Sequence, residues 1–312
     1  MPRRRSTPVS SAPLRPVVQH RCGFVALIGR PNVGKSTLLN TLVGVKVAIV
    51  SPKPQTTRTR LLGIKTLPDA QLIFVDTPGI HQHAGTLLNQ RMVGAALTAL
   101  RDTDVAIFLV DGQRGVTLED EAIAGRLSVL KLPVVVGVNK IDAVPKARLL
   151  PLLERLAVLL PERELVPISA RSGENVAELL KLVMAALPTG PALYPSDDLT
   201  DQSERVIAQE IVREQLFLQT HQEVPYATAV VVEEFSERTD KAVLVIRAVI
   251  YVDRSSQRAI IIGERGSRLK EIGQRAREQL ETFFGCKIFL ELFVKVVKGW
   301  TNSSRILSEL GL

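Results

Sequence analysis

The residues best able to do chemistry stand in a glycine-rich segment between an apolar run and an amphipathic pattern. In order they are Gly29, Arg30, Pro31, Asn32, Val33, Gly34, Lys35, Ser36 and Thr37. The glycines would let backbone N–H groups approach phosphate oxygens, while Lys35 would contact the outer phosphates and Ser36 would ligate Mg²⁺. An accidental glycine turn is the alternative, but a strand before it and a helix after it favour a phosphate-binding loop.

A second polar segment follows the apolar run 72–75 and consists of Asp76, Thr77, Pro78 and Gly79. It would lie at the carboxyl end of a strand, where α/β sheets bind their ligands. Asp76 would orient Mg²⁺ through water, and the Gly79 N–H would meet the γ-phosphate. Its spacing after the phosphate loop predicts a turn that senses whether this phosphate is present.

A third segment, Asn139, Lys140 and Asp142, also follows an apolar run and indicates a preference for guanine. The Asp142 carboxylate can accept hydrogen bonds from the ring imino and exocyclic amino groups of guanine. Adenine has neither donor there and would leave the carboxylate unpaired. Ser169 and Ala170 would complete the base pocket through backbone contacts.

These elements, in this order, resemble the translation-factor-related GTPases over about residues 22–188, which implies GTP or GDP and Mg²⁺ as cofactors. In that class the loop after the first helix carries a threonine that ligates magnesium only when GTP is bound. Within residues 54–58 we favour Thr57 and keep Thr56 as the alternative. A surface loop far from the phosphates is the remaining interpretation.

The catalytic machinery is the weakest part of the pattern. Ile80 follows Gly79, where Ras-like proteins place a glutamine that orients water, so we expect slow hydrolysis assisted from elsewhere. We interpret His81 and His83 as solvated loop residues rather than catalytic groups. Asn32 matches a family feature associated with K⁺, which would take the place of an arginine finger.

The elements that must position these residues form an alternating pattern. Apolar runs predict strands at residues 24–28, 72–75, 105–110, 134–138 and 165–168, with helical patterns between them. We therefore predict an α/β fold with a mainly parallel, doubly wound sheet and helices on both faces. The predicted boundaries are a disordered basic tail at 1–21, a GTPase domain at 22–188, a linker at 189–201 and a second domain at 202–312.

Composition excludes several other classes of protein. The chain has 312 residues, 46% of them hydrophobic, which suits two domains with sizeable cores. Its apolar runs are too short to cross a bilayer, and the tail lacks the apolar stretch of a secretory signal. Two cysteines, Cys22 and Cys286, are too few for a disulfide framework or a zinc site, so we expect reduced thiols in the cytoplasm.

Charge is unevenly distributed along the chain. The formal net charge is +8, and residues 254–305 hold eleven basic but only five acidic residues. Such an excess could attract a polyanion, although a solvated basic face would look the same.

Patterns in the second half predict a helix at 203–219, strands at 227–233, 243–252 and 287–297, and a short C-terminal helix. A glycine turn precedes an amphipathic helix that starts near residue 269 and is flanked by strands, which is the organisation of a KH domain. The candidate RNA-binding residues are Ile261, Ile262, Gly263, Glu264, Arg265, Gly266, Arg268 and Lys270. The basic ones would meet phosphates, and the two isoleucines would line a groove for bases. A glycine turn joining two core helices is the alternative.

The two halves together resemble the Era family of bacterial GTPases over about residues 22–312. The resemblance rests on Pro-Gln-Thr-Thr-Arg at 54–58, Tyr-Pro at 194–195, Asp-Leu-Thr-Asp at 198–201, and the final Val-Lys-Gly-Trp at 297–300. It implies binding of the 3′ end of small-subunit ribosomal RNA, a role in assembly of the small ribosomal subunit, and some peripheral contact with an anionic membrane. The basic tail is unusual for the family and has no role that we can assign.

We predict that GTP orders the loops around Thr57 and Gly79, that this state docks against the KH domain, and that the RNA groove then opens. One alternative is an RNA-binding module with a structural nucleotide, and another is a membrane-associated signalling GTPase. We expect a monomer.

Trp300 would either stack on a base or brace the last strand, and we favour bracing.

Overall fold

The computed structural model describes residues 20–51, 53, 56–79, 86–238 and 242–311, and within these ranges the strands form two sheets. The strands of the first sheet are β1 (Arg21–Ile28), β2 (Leu61–Thr66), β3 (Ala70–Asp76), β4 (Val105–Asp111), β5 (Val134–Asn139) and β6 (Glu164–Pro167). Their spatial order is β2-β3-β1-β4-β5-β6. The β2–β3 pair is antiparallel and the other described pairs are parallel.

Helices cover both faces of this sheet. They are α1 (Lys35–Val43), α2 (Leu87–Arg101), α3 (Leu118–Ser128), α4 (Lys146–Leu159) and α5 (Val176–Ala186). Every residue of β3 and β4 is buried because each strand is packed on its two faces, which is why these strands read as continuous apolar runs. The predicted doubly wound, mainly parallel sheet is confirmed, but β2 was missed.

The strand order brings the polar segments together at one edge of the sheet. Parallel strands β1, β3, β4 and β5 all point their carboxyl ends to the same side. The loops that follow β1, β3 and β5 there carry candidate ligand-binding residues, as expected for an open α/β sheet.

The segment between the two sheets is attached to the first one. Leu199 O accepts a hydrogen bond from Ile64 N at 2.9 Å, and Thr200 Oγ1 donates to Leu62 O at 2.7 Å. The buried Gln71 side chain accepts from the backbone of Tyr194 at 2.9 Å. Residues 194–200 therefore follow the outer side of β2 and β3.

The second half is an α+β unit with helices on one face of its sheet. Its elements are α6 (Glu204–Gln219), β7 (Thr228–Arg238), β8 (Val243–Val252), α7 (Ser255–Ile262), α8 (Ser267–Phe284), β9 (Lys287–Val296) and α9 (Ser304–Glu309). The sheet order is β7-β8-β9, with β7 antiparallel and β9 parallel to β8. Apolar residues of α6, α8 and the inner sheet face form one core.

Helix α7 lies between the strand predicted at 243–252 and the glycine turn, where the sequence patterns predicted no helix. Gln257 explains part of the difference, since its Oε1 accepts from the backbone N–H groups of Asp253 and Arg254 at 3.0 Å and so caps the helix start. In the described part of the chain, no helix is both long and apolar enough to cross a membrane.

Candidate functional site

The loop between β1 and α1 requires glycine at two positions. Gly34 has φ 103°, and a Cβ there would lie 2.2 Å from Asn139 Nδ2. Gly29 has φ 153°, and its Cβ would lie 2.6 Å from Leu109 O. Both contacts are too short for carbon, so a side chain at either position would push the loop away from its supporting strands.

Lys35 begins α1 but folds back over the preceding loop. Its Nζ donates to Gly29 O at 3.0 Å and to Arg30 O at 3.1 Å. Burial lowers the pKa of Lys35 to about 8, although the Asp76 carboxylate opposes this shift. An arriving phosphate would supply the negative charge that this buried amine lacks.

Three oxygen-bearing side chains meet beside Lys35. Ser36 Oγ lies 2.7 Å from Asp76 Oδ2 and 3.0 Å from Thr57 Oγ1, and Thr57 Oγ1 lies 3.1 Å from the same carboxylate atom. Thr56 turns away, donating to Lys53 O at 2.9 Å. The structure therefore brings Thr57, not Thr56, to Ser36 and Asp76.

This cluster fits Mg²⁺ by the chemistry of its donors. It offers two hydroxyls and a carboxylate, which are the oxygen ligands that magnesium prefers. The other carboxylate atom, Asp76 Oδ1, is buried and has no hydrogen-bond partner among the described residues. Burial raises the pKa of Asp76, and the neighbouring Lys35 amine opposes this shift without cancelling it.

The turn after β3, residues 77–79, packs closely against the phosphate loop. Thr77 Oγ1 donates to Leu27 O at 2.9 Å, which ties the turn to β1. A Cβ on Gly79 would lie 2.8 Å from Pro31 N, so this close approach also needs glycine. Pro78 lies between them, whereas Ile80, His81 and His83 are outside the described residues.

Asn139 joins three loops at the far end of the cleft. Its Nδ2 donates to Val33 O at 2.7 Å, and its Oδ1 accepts from Ala170 N at 2.9 Å. Ser169 is fully buried, and its Oγ accepts from Ser172 N at 3.1 Å. Asn139 thus positions the loop after β6 rather than facing open solvent.

Lys140 and Asp142 follow on the same loop with different surroundings. Lys140 Nζ donates to Asn32 O at 2.8 Å and to Asp111 Oδ2 at 2.7 Å, so it clamps the phosphate loop to the end of β4. Asp142 lies in the short 3₁₀ helix Ile141–Ala143 with an exposed side chain, free to meet a base.

The cleft between these loops has a volume of about 350 Å³. Predicted residues on its wall are Pro31, Asn32, Gly34, Lys35, Ser36, Thr37, Thr57, Gly79 and Lys140. Within the phosphate loop, two side chains face elsewhere: Arg30 pairs with Asp120 through Nε at 3.0 Å, and the Val33 side chain is fully buried.

A second candidate site lies where α7 meets α8. Gly263 has φ 72° and Gly266 has φ 82°, and Arg265 between them is also left-handed at φ 50°. A Cβ on Gly263 would lie 2.8 Å from the Arg268 Cβ, so the turn is tight at that end. The side chains of Glu264 and Arg265 project into solvent, as does Lys270 on the first turn of α8.

A groove of about 440 Å³ opens beside this turn, between α8 and β9. Its lining residues are Gly266, Leu269, Lys270, Gly273, Gln274, Arg277, Leu290 and Leu292. An apolar floor with basic side chains at the rim suits unstacked bases on the floor and phosphates at the rim.

Comparisons with known proteins match both domains. The 50S ribosome-binding GTPase family matches residues 24–140, and the KH domain family matches residues 223–301. The chain is 50% identical to GTPase Era of Geobacter metallireducens, over 93% of this chain and 97% of the relative. It is 48% identical to GTPase Era of Pseudomonas aeruginosa, over 93% and 95%. This chain belongs to the Era family of GTPases.

Solved structures of the Era family share the whole architecture. A crystal structure of Era with MgGDPNP and nucleotides 1506–1542 of 16S ribosomal RNA is 44% identical, with a TM-score of 0.91, over 94% of this chain and 99% of that one. A single-residue variant of Aquifex aeolicus Era bound to GDP·AlF4⁻ is also 44% identical, with a TM-score of 0.90, over 93% and 99%. The predicted GTPase with a C-terminal KH domain is confirmed.

In this member of the Era family, one predicted groove residue is placed differently. Ile261 is fully buried in the core of the second domain, so the prediction that it lines the groove is wrong. It lies on the inner side of α7, a helix that the sequence pattern missed. Ile262 is half-buried.

Trp300 is fully buried and donates through Nε1 to Ala227 O at 3.0 Å. Its ring therefore braces the protein interior, as favoured from the sequence, and is not exposed to stack on a base.

Sequence patterns also missed residues that this Era-family structure brings to its sites. Asp111 ends β4 and accepts from Lys140, and the apolar alternation of strands gave no reason to single it out. Leu290 and Leu292 come from β9, about twenty residues after the glycine turn, and Gly273 opens the groove from α8. Three-dimensional assembly, not a local motif, places them together.

Proposed function

We propose that this chain is a GTP-hydrolysing switch that binds the 3′ end of small-subunit ribosomal RNA through its KH domain and acts in assembly of the small ribosomal subunit. The observation that carries the proposal is the match, across both domains, to an Era structure holding MgGDPNP and nucleotides 1506–1542 of 16S ribosomal RNA. Both ligands have a fitting site in the described residues.

For the nucleotide, we assign the phosphates to the loop 29–36, with Lys35 on the outer phosphates. Ser36 and Thr57 would hold Mg²⁺ directly, and Asp76 would orient it, in line with their mutual distances of 2.7–3.1 Å. When bound, Mg²⁺ supplies positive charge against the β- and γ-phosphate oxygens.

For the base, we assign guanine recognition to the exposed Asp142 carboxylate. Asn139 and Lys140 shape the pocket by fixing the neighbouring loops. Ser169 and Ala170 contribute backbone groups on the opposite side. An adenine would leave Asp142 without its donors, so GTP is preferred over ATP.

Ile80 cannot orient the attacking water, so we expect slow hydrolysis that is assisted from elsewhere. We propose that K⁺ held near Asn32 would take the place of an arginine finger. The Asn32 backbone is left-handed at φ 64° and lies at the cleft wall. Equal turnover in sodium and potassium buffers, together with wild-type turnover of Asn32→Ala, would exclude K⁺.

For the RNA, we assign phosphate contacts to Arg265, Arg268 and Lys270, and base contacts to the groove. Gly263, Glu264 and Gly266 form the turn that lets the RNA backbone approach. Arg268 is held in place by donating from Nη1 to Ile260 O at 2.9 Å. These phosphate and base contacts can be made to a single-stranded RNA segment, because they do not require the geometry of a duplex.

The switch works as a coupling between two binding equilibria. The GTP state orders the segment around Thr57 and Gly79 and opens the RNA groove, and hydrolysis then releases the RNA. By linkage, RNA must tighten GTP binding by the same factor that GTP tightens RNA binding. Equal RNA affinity in the two nucleotide states is incompatible with this mechanism.

The proposal places the protein in the cytoplasm as a monomer, where ribosomal subunits are assembled. Peripheral contact with an anionic membrane is supported only by the basic excess of residues 254–305, which the RNA site also explains. Cosedimentation with anionic lipid vesicles that persists in a variant unable to bind RNA would support a separate membrane role.

The test is binding of a labelled RNA that copies the 3′ end of small-subunit ribosomal RNA. It is measured with protein loaded with GDPNP or with GDP, at one stated salt concentration. We expect tighter binding with GDPNP, and loss of binding in the Gly263→Asp, Gly266→Asp double variant. The variant's GTP hydrolysis without RNA is the control, because the substitutions lie far from the nucleotide cleft.

Two results would contradict the proposal. One is binding no tighter than that of a scrambled RNA in both nucleotide states. The other is unchanged RNA binding by the double variant, which would show that the glycine turn is not the RNA site.

A further inference from the structure

The segment that carries Thr57 is bound to a helix of the other domain. We define the switch segment as residues 46–60, between α1 and β2. Lys46 Nζ pairs with Glu214 Oε2 at 2.5 Å, and Val50 N donates to Glu214 Oε1 at 2.9 Å. Lys53 Nζ donates to carbonyls at the end of α6, including that of Phe217, where a helix attracts cations.

Arg213 of α6 holds the residue just before Thr57. Its Nη2 donates to Thr56 O. The same guanidinium is paired with Glu210 through Nε at 2.8 Å, and its side chain is only 4% exposed. A buried guanidinium with fork-like pairing has little freedom to move, so α6 sets the position of the Thr56 carbonyl.

Arg58 holds the residue just after Thr57. It is buried in the second domain, where Nη1 donates to Thr228 O at 2.5 Å and Nη2 to Pro225 O at 3.1 Å. Its guanidinium lies 5.7 Å from the ring centre of Phe217 and 6.0 Å from that of Trp300. Withdrawing this guanidinium would leave buried carbonyls without a donor and lose both ring contacts, which is costly.

Thr57 therefore lies between two residues that are anchored in the second domain. Consecutive Cα atoms are about 3.8 Å apart, so the anchors leave its backbone little room. We propose that Arg213 and Arg58 are positioning residues for the GTP site: from the KH side of the molecule, they hold Thr57 where its hydroxyl meets Ser36 and Asp76. This inference rests on the proposed function and names its regulatory route.

The same helix connects the anchors to the RNA groove. Ile207 and Ile211 of α6 share a core with Ile272 and Ala276 of α8. The opposite side of α8 contributes Gly273 to the groove. Because packed helices move as rigid bodies, a shift of α6 that follows Thr57 also shifts the groove wall.

The competing explanation is that the contacts of Arg213 and Arg58 only hold the two domains together and do not position Thr57. The chain offers a matched control for this alternative. The Lys46–Glu214 ion pair also crosses the domain boundary, but it lies eleven residues before Thr57 and holds neither of its neighbours. Lys46 is 44% exposed, and its partner Glu214, which is only 2% exposed, also accepts a hydrogen bond from Val50 N that Lys46→Met would leave in place. Its removal weakens adhesion and leaves the anchors of Thr57 in place.

The experiment compares full-length wild type, Arg213→Met, Arg213→Lys and Lys46→Met by equilibrium binding of GDPNP and GDP with Mg²⁺, without RNA. We expect Arg213→Met to weaken GDPNP binding by about tenfold, the worth of a hydrogen bond to a charged donor, and to leave GDP binding nearly unchanged. Arg213→Lys keeps a donor for Thr56 O and should be intermediate. Lys46→Met should change neither affinity by more than about twofold.

A second measurement gives the RNA affinities of the same proteins in the two nucleotide states. We expect the ratio of the GDP and GDPNP dissociation constants for RNA to fall toward one in Arg213→Met and to stay at the wild-type value in Lys46→Met. Thermal unfolding with GDP checks that each variant is folded. If Arg213→Met is unfolded, Glu210→Gln, which loosens the Arg213 fork, should still weaken GDPNP binding selectively.

The outcomes separate the inference from the function on which it rests. Wild-type discrimination between GDPNP and GDP in Arg213→Met, or equal effects of the Arg213 and Lys46 variants, would overturn the positioning role. Failure of the wild-type protein to bind the RNA would overturn the proposed function, while the nucleotide comparison would still decide the role of Arg213.

Discussion

Two glycine turns in this molecule each precede a helix, and they are built in different ways. The phosphate loop is enclosed: Gly34 touches Asn139, Lys35 is buried, and loops from four strands meet around it. The turn at 263–266 is open, and a Cβ on Gly266 would meet no atom within 4 Å. The first turn carries its phosphate-binding groups in one segment, whereas the second is one edge of a groove made by distant elements.

This difference explains why one motif is specific and the other is weak. The phosphate loop needs glycine for space as well as for backbone conformation, so few unrelated sequences satisfy it. The second turn needs glycine mainly for a positive φ, which many ordinary turns also require. Substitutions in the two turns should therefore differ in size.

The largest expected effect is that of Gly34→Ala. The new Cβ would lie 2.2 Å from Asn139 Nδ2 in a backbone with φ 103°. Backbone strain alone costs about 1–3 kcal/mol and the clash adds to it, so GDP binding should weaken by about 100-fold. Calorimetric titration with GDP measures the change. Near wild-type binding would show that the loop is not enclosed as described.

A smaller, state-selective effect is expected for Thr57→Ala. Its hydroxyl meets Ser36 and Asp76, so its loss should weaken GDPNP binding by about tenfold and leave GDP binding almost unchanged. Chelation of Mg²⁺ with EDTA should remove the difference between variant and wild type. Thr56→Ala is the matched control, and an equal loss in that variant would contradict the assignment of Thr57.

In the open turn, Gly266→Ala should have a modest effect. No atom opposes the added Cβ, so the cost is that of a left-handed alanine, about 1–2 kcal/mol. We expect RNA binding to weaken by roughly fivefold, within the range that this strain allows. Gly263→Ala also meets the Arg268 Cβ at 2.8 Å and should lose more. The reverse ranking, measured with the same labelled RNA, would mean that the turn rearranges on binding.

The smallest effect on ligand binding is expected for Trp300→Phe. Loss of the hydrogen bond to Ala227 O should lower the free energy of unfolding by about 1 kcal/mol, because the carbonyl would be left buried without its donor. RNA affinity should not change. Urea unfolding and the RNA titration test these points, and a stacking role would instead appear as weaker RNA binding in a protein of normal stability.

Sequence patterns predicted the parts of the fold that depend on local composition. Buried strands such as β3 and β4 are continuous apolar runs, so periodicity located them to within two residues. Strand β2 was missed because Gly63 and Lys65 interrupt a short run on an antiparallel edge. Helix α7 was missed because its first residues are polar and its apolar residues crowd its end.

The candidate site divides in the same way. Lys35, Ser36 and Asp76 stand in segments whose spacing fixes their role, so their meeting could be predicted. The sequence favours Thr57 but leaves Thr56 open, because the choice depends on which hydroxyl the Arg213 and Arg58 anchors turn toward Asp76. Asp111 and the groove residues Leu290 and Leu292 are ordinary strand residues until the chain folds.

The attachment of the linker to β2 has a consequence for handling the first domain alone. A strand at the edge of a sheet exposes unpaired N–H and C=O groups, which invite pairing with other chains and aggregation. Leu199 and Thr200 occupy those groups on Ile64 and Leu62. A fragment that ends at residue 188 would uncover this edge, whereas one extended to residue 201 would keep it covered and should remain the more soluble of the two.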